Sequence, residues 1–277
     1  MLLYSYCRVA DDLIDEATNT AEARDWIDQL REFLDLSYKF PDDRKRMVEF
    51  VTSQFPASAQ SALLLLPTKH LSKDPLYDLL KGFESDLLFS DGPEAKTRFP
   101  IKTEQDLDTY GFRVAGTVAH VVNDLVFHHY TLHSHTPDFK RRVCEAGESM
   151  GIALQYTNIA RDIAVDAKLG RVYIPSSWLE EENLTPEAIV KNPQGVQVKE
   201  LRSRLLERAF KLYEEARPAI ERLPEEVKPG MRVAVESYME IARTLRVEGY
   251  KVRDGRATVP VWRRILVAYK ALSDKKR

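Results

Sequence analysis

Apolar side chains in this chain recur every three or four positions along most of its length rather than every two, a period that admits little except helices packed on one another. Glycine, which would weaken such helices, is sparse at 11 of 277 residues. The interruptions sit where helix-stopping residues gather: Phe40-Pro41-Asp42-Asp43, Leu66-Pro67, Asp91-Gly92-Pro93, His135-Thr136-Pro137-Asp138, the stretch from Gly170 to Pro186, Asn192-Pro193-Gln194-Gly195 and Leu223-Pro224. Between them the pattern predicts helices over 2–37, 43–54, 57–66, 74–90, 103–134, 138–167, 197–222, 225–250 and 260–273. The only segment with strand character, Arg171-Val172-Tyr173-Ile174-Pro175, is too short to seed a sheet. No composition shift marks a boundary, so an all-α, single-domain bundle over 1–277 is expected.

Charge narrows the function. Lys plus Arg number 41 and Asp plus Glu 43, a formal net charge of −2 with no long basic block, so a nucleic-acid partner is not expected. The longest apolar run, Ala62 to Leu66, is far below the roughly 18 residues of a membrane span. The start, Met1-Leu2-Leu3-Tyr4-Ser5, meets Arg8 and three aspartates by residue 15, unlike a secretory signal. Two cysteines, Cys7 and Cys144, cannot build a disulfide framework or a cysteine zinc site. A reducing, intracellular compartment is expected, with the protein cytoplasmic or peripherally membrane-associated.

Two acidic helices carry the chemistry. At about 100° per residue, Tyr4, Arg8, Asp11 and Asp15 fall within roughly 60° of one another. Like charges one turn apart destabilise a helix, so an inward-facing pair needs a cation. Magnesium suits the donors, since it takes hard oxygens, keeps waters and bridges one or two carboxylates to phosphates, whereas zinc would ask for His or Cys. Val9, Ala10, Leu13 and Ile14 flank the acids, and Arg8 adds a charge for phosphate oxygens. A solvated charged face stays open as the plainer reading of this helix alone. In the second helix Gln155, Asn158, Asp162 and Asp166 share roughly 80°, and Arg171 and Tyr173 follow its end on an extended piece. Two such helices, antiparallel across a bundle, would face one cavity with Mg²⁺ gripping a diphosphate between them.

These segments resemble the squalene/phytoene synthase family. The resemblance rests on Tyr-x3-Arg-x2-Asp-Asp-x2-Asp at 4–15 and on Gln-x2-Asn-x2-Arg-Asp-x3-Asp followed by Gly-Arg-Val-Tyr-Ile-Pro at 155–175. It extends to Lys81-Gly82-Phe83-Glu84-Ser85-Asp86-Leu87, to Tyr110-Gly111-Phe112-Arg113-Val114-Ala115-Gly116-Thr117-Val118, and loosely to Tyr250-Lys251-Val252-Arg253. It looks most like the phytoene branch, and the 176–193 loop most like fungal enzymes in which this domain follows a lycopene cyclase. The resemblance implies an isoprenoid synthase fold with a central cavity. It implies Mg²⁺ (Mn²⁺ as a substitute) on Asp11, Asp15, Asp162 and Asp166, with Asp12 second to Asp11 and Asn158 beside them. Tyr4, Arg8, Gln155, Asn158, Arg161, Arg171, Tyr173, Tyr250 and Arg253 are the positions matched to diphosphate contact or cavity lining. The implied reaction condenses two geranylgeranyl diphosphates through a cyclopropyl diphosphate into phytoene, without NADPH.

Such chemistry needs a dry, apolar cavity with aromatic faces and no nucleophile. Tyr110, Phe112, Ala115, Gly116, Val118 and Ala119 share one mid-bundle helix; Tyr110 is the catalytic aromatic candidate, and Ala115-Gly116 leave room for a prenyl chain, with close helix packing as the plainer reading. Two further readings stay open: a squalene or dehydrosqualene type of synthase on farnesyl diphosphate, and a non-catalytic family member acting as an assembly factor. An amphiphilic substrate and an apolar product imply peripheral membrane contact, and the fungal likeness implies a fused or associated carotenoid-pathway enzyme. The family pattern places a helix and loop ahead of the first acidic motif, whereas Asp11 comes almost at once here; a fragment or a mis-started chain is therefore expected. His128, His129, His133 and His135 sit near an expected helix end, where the dipole explains them without a metal.

Overall fold

The first long helix expected from the periodicity is two helices, because Asn19 supplies a cap. Its side chain accepts the Glu22 N–H at 3.0 Å, while the Glu22 carboxylate accepts the Thr18 N–H at 2.8 Å. That pair of bonds starts α2 (Thr20–Lys39), with four residues separating it from the end of α1 (Leu2–Asp15). The computed structural model describes residues 2–90, 99–130, 136–247, 250 and 259–273, and among them there is no strand. The order continues α3 (Arg44–Gln54), α4 (Ala57–Leu64), α5 (Lys73–Leu87), α6 (Glu104–Gly111), α7 (Thr117–His129), α8 (Pro137–Lys168), α9 (Ser176–Glu181), α10 (Pro186–Lys191), α11 (Val196–Ala216), α12 (Lys228–Leu245) and α13 (Val261–Ser273).

Other boundaries move for local reasons. The helix expected over 103–134 starts at a capping box between Thr103 and Asp106 and is interrupted by a π-helical turn, Phe112–Gly116, that joins α6 to α7. Pro218 turns the end of the 197–222 helix into a 3₁₀ turn, Arg217–Arg222, and Pro229 sits in the first turn of α12. The short α9 and α10 occupy a stretch expected to be loop; Thr185 caps α10, and Pro186 opens it.

α8 is the axis of the molecule. At 32 residues it is about 48 Å long, and it packs on α7, the π turn, α11 and α12. Gly151 permits a close backbone approach to the π turn: a Cβ there would stand 2.6 Å from the Ala115 carbonyl oxygen and 2.7 Å from Gly116 N. One apolar core gathers α8, α11 and α12, and a second gathers α1, α2, α4 and α5. α1 divides its surface between jobs. Leu3, Tyr6, Ala10 and Ile14 are buried in the second core, while Tyr4, Cys7, Arg8 and Asp11 face a cavity between the two cores. α13 packs on α12, and its Trp262, Ile265 and Tyr269 are exposed.

Candidate active site

The two acidic helices meet. Asp11 and Asp15 from α1 and Asp162 and Asp166 from α8 line one polar compartment of about 270 Å³, which Asp86 of α5, Arg161 and Arg171 also enter. Five carboxylates there face two guanidinium groups, so the compartment is short of positive charge. The carboxyl groups register the deficit. Burial, then the neighbouring Asp162, pushes Asp166 up to about 7. Burial, then Asp15, raises Asp11 as well.

Arg171 is delivered by the way α8 ends. Gly170 takes φ +73°, the left-handed conformation that favours glycine. Its N–H bonds the Ala167 carbonyl at 3.0 Å, and the Arg171 N–H bonds the Asp166 carbonyl at 2.9 Å, the paired bonds of a Schellman stop. The chain thereby folds back, and the Arg171 guanidinium comes to 3.6 Å from Asp15 on α1. Arg161 is held as a fork on Asp162, Nε to Oδ1 at 2.8 Å and NH2 to Oδ2 at 2.5 Å. Asn158 donates to Gln155 Oε1 at 3.1 Å and accepts from the Tyr238 hydroxyl.

Asp86 was not among the site residues expected from the sequence. It accepts the Tyr173 hydroxyl at 2.8 Å and the Tyr110 hydroxyl at 3.2 Å, and burial pushes it up to about 6 against the pull of Arg171. The Tyr110 and Tyr173 rings stack at 4.9 Å between centroids. A signal existed: Leu79, Phe83 and Asp86 share one face of α5, so an aspartate occupies a position that the period assigns to the interior.

The compartment opens into an apolar cavity of about 700 Å³, and Asp11, Asp86, Tyr110, Gln155 and Asn158 belong to the walls of both. Val114, Ala115, Val118 and Ala119 line it from the π turn and α7, Met150, Gly151 and Leu154 from α8, and Ala234 and Val235 from α12. Tyr4 and Arg8 sit at its rim, Tyr4 being 72% exposed. Cys7 reaches the cavity, and burial pushes its thiol up to about 12, which keeps it a neutral wall rather than a nucleophile.

Some expected residues stand elsewhere. Asp12 lines neither space and instead pairs with Arg8 at 2.6 Å. Gly116 is buried against Phe112 and the α8 backbone at Glu148, and Phe112 does not line the cavity either. Tyr250 lines neither space; its N–H bonds the Val247 carbonyl at 3.0 Å. Arg253, His133 and His135 lie outside the described residues.

Among the described residues no three acidic, His or Cys side chains stand close enough together to hold a metal ion unaided. Oxygen donors on two facing walls, with surplus negative charge, suit a magnesium-type cation that keeps waters and shares its coordination with a phosphate.

Comparison with known proteins agrees with this geometry. A family model described as squalene/phytoene synthase matches residues 1–263. A bifunctional lycopene cyclase/phytoene synthase of Phaeosphaeria nodorum is 52% identical over 273 residues, covering 99% of this chain and 46% of that protein. A protein of the same name from Leptosphaeria maculans is 51% identical, with 99% and 46% covered. The chain thus spans about half the length of these curated relatives. Among solved structures, a dehydrosqualene synthase superposes with a TM-score of 0.71 at 24% identity, covering 98% of this chain and 84% of that one. The squalene synthase HpnC of Alicyclobacillus acidocaldarius gives 0.66 at 22% identity, with 90% and 82% covered. These likenesses establish the all-α isoprenoid synthase fold.

Proposed function

Because the chain belongs to the squalene/phytoene synthase family, we propose that it condenses two geranylgeranyl diphosphates head to head into phytoene, as the synthase part of a carotenoid-forming protein. One arrangement carries the reading: aspartates from α1 and α8 enclose a polar compartment whose inner wall is the mouth of an apolar cavity. A prenyl diphosphate is divided in the same way, into a charged head and an apolar tail. Both cores wall the same cavity, which supports reading 1–277 as one domain.

In this reading Mg²⁺, with Mn²⁺ as a substitute, would be held by Asp11, Asp15, Asp162 and Asp166 with Asn158 beside them, and would supply positive charge to the departing diphosphate. Arg8, Arg161 and Arg171 add fixed positive charge at the same mouth, where the breaking carbon–oxygen bond places negative charge on oxygen. Asp12 acts through Arg8, whose guanidinium it orients. The allylic carbon–oxygen bond of one substrate breaks, and the double bond of the other attacks the cation. A proton leaves, and a cyclopropyl diphosphate forms. Loss of its diphosphate, rearrangement and loss of a second proton give a C40 hydrocarbon with no reductant consumed. Tyr110 presents its ring to the cation, and Asp86 fixes that ring through the hydroxyl. The aliphatic walls exclude water, which would otherwise capture the cation.

The same reading places the protein inside the cell, in contact with a membrane surface that supplies the substrate and receives the product. No helix among the described residues is long and apolar enough to cross a membrane. The carotenoid-pathway partner would be a lycopene cyclase, by extension from the names of the relatives.

The test incubates the chain with labelled geranylgeranyl diphosphate and Mg²⁺, without NADPH, beside an Asp162→Asn variant. A C40 hydrocarbon in the hexane extract of the parent, reduced by about 100-fold or more in the variant, is expected. Product from farnesyl diphosphate alone, or only with NADPH, would reassign the substrate to the squalene type.

A further inference from the structure

The apolar cavity has a far end, and its position is set by how α7 and α8 run past each other. The helices are antiparallel: a Cβ on Gly111 would touch Ile152, one on Gly151 the Ala115 backbone, and one on Gly147 both Ala119 and Asn123. Tyr110 belongs to the acidic mouth. Asn123 on α7 and Val143 on α8 are the last residues of their helices to line the cavity. From Tyr110 to Asn123 the chain advances thirteen residues, roughly 20 Å of helix. The sixteen main-chain carbons of a geranylgeranyl tail, at somewhat over an ångström of advance per bond, also span roughly 20 Å when extended.

Asn123 is a polar stop in an apolar lining. It is only 4% exposed, and its amide Nδ2 points toward the Val143 carbonyl at 3.4 Å, while a Cβ on Gly147 would come within 2.5 Å of the same nitrogen. Glycine at 147 is thus what lets the amide lie across the seam. A prenyl tip has no group to satisfy an amide, so pushing past it costs desolvation without return. Beside the stop, the other side of the same two helices is polar: Asp124 accepts the Ser72 N–H at 2.7 Å, and His120, Cys144 and Glu148 line a separate polar pocket.

We propose that Asn123, seated on Gly147, is the length gauge of the cavity, setting the longest prenyl tail that the α7–α8 side accepts. The proposal rests on the prenyl reading above. Asn123 is a specificity residue and takes no part in bond making. Ala119, one turn nearer the mouth, marks where a bulkier side chain would shorten the same space.

The test reads binding rather than turnover. The full chain with Mg²⁺ is titrated with non-ionisable prenyl thiolodiphosphates carrying C10, C15, C20 and C25 tails, for the parent, Asn123→Ala and Ala119→Leu, with a thermal melt of each. The parent should tighten up to C20 and weaken at C25. Asn123→Ala should gain about tenfold or more for C25 with C15 unchanged, and Ala119→Leu should lose about tenfold or more for C20 with C15 retained. A parent that binds the series while neither variant alters its length dependence overturns the gauge and leaves the prenyl reading standing. A parent that binds none of the four overturns the prenyl reading and the gauge with it. If one variant melts too low to assay, the other still decides, since the two move the cut-off in opposite directions.

Discussion

At the residue scale, Asp86 ties three elements of the site together. Its carboxyl accepts two tyrosine hydroxyls and lies in the field of Arg171, which keeps Asp15 as a partner, so its removal strands the two hydroxyls at once. Leaving a buried hydrogen-bonding group unsatisfied costs about 1–3 kcal/mol. Asp86→Leu should therefore lower the free energy of unfolding by about 3 kcal/mol in a denaturant titration, and Asp86→Asn, whose amide can accept from one tyrosine and donate to the other, by clearly less. Equal losses for the two, both of which remove the charge, would mean that the hydrogen bonds to the tyrosines contribute nothing. The two acidic faces were legible because each is written within four residues on one helix. Asp86 was not, because its partners come from the helix of Tyr110 and the extended piece of Tyr173, and no local rule joins them.

Among elements, the contact between α8 and the π turn positions the cavity wall. Gly151 touches backbone atoms of Ala115 and Gly116, which cannot rotate away as a side chain would. Gly151→Ala should push the two elements apart and cost about 1–3 kcal/mol of stability by denaturant titration, with a thermal melt as a check. Activity should fall with it, since Ala115 and Gly151 both line the cavity. The sequence shows Ala115-Gly116 as a small pair but does not show which of them faces the cavity. The extra residue of the π turn decides that, turning Ala115 to the cavity and Gly116 to α8. Likewise the break at Asn19 needed its side chain, because the apolar period runs on through it.

Across the whole molecule, one ionisable tie joins the helices behind the cavity. His120 of α7 meets Glu148 of α8 at 2.6 Å and Asp124 at 3.9 Å, and Asp124 holds the N-terminal turn of α5 through Ser72. The hydrogen bond to Glu148, with Asp124 adding to it against partial burial, raises His120 above its ordinary value of 6.5. His128, Lys140 and Glu145 share the same pocket and see the same field. Because the folded value is the higher one, the stabilisation is full below about pH 6.5 and is lost as pH rises through the folded value. Unfolding midpoints followed from pH 6 to pH 8.5 should fall over that window in the parent and be flatter in Glu148→Gln. A parent curve that rises with pH across the same window would rule out the tie.

The sequence by itself determined that the chain is helical, where most helices lie and which two of them carry acids on one side. All of that is local: helix period, caps and side-chain direction are set within about four residues. Only the tertiary structure decided that Asp86 completes the acidic compartment, that Asp12 serves Arg8 instead of lining it, and that Asn123 closes the cavity roughly 20 Å from Tyr110. Each of these depends on which helix faces meet and at what register, and that is settled by close packing among residues far apart in the chain.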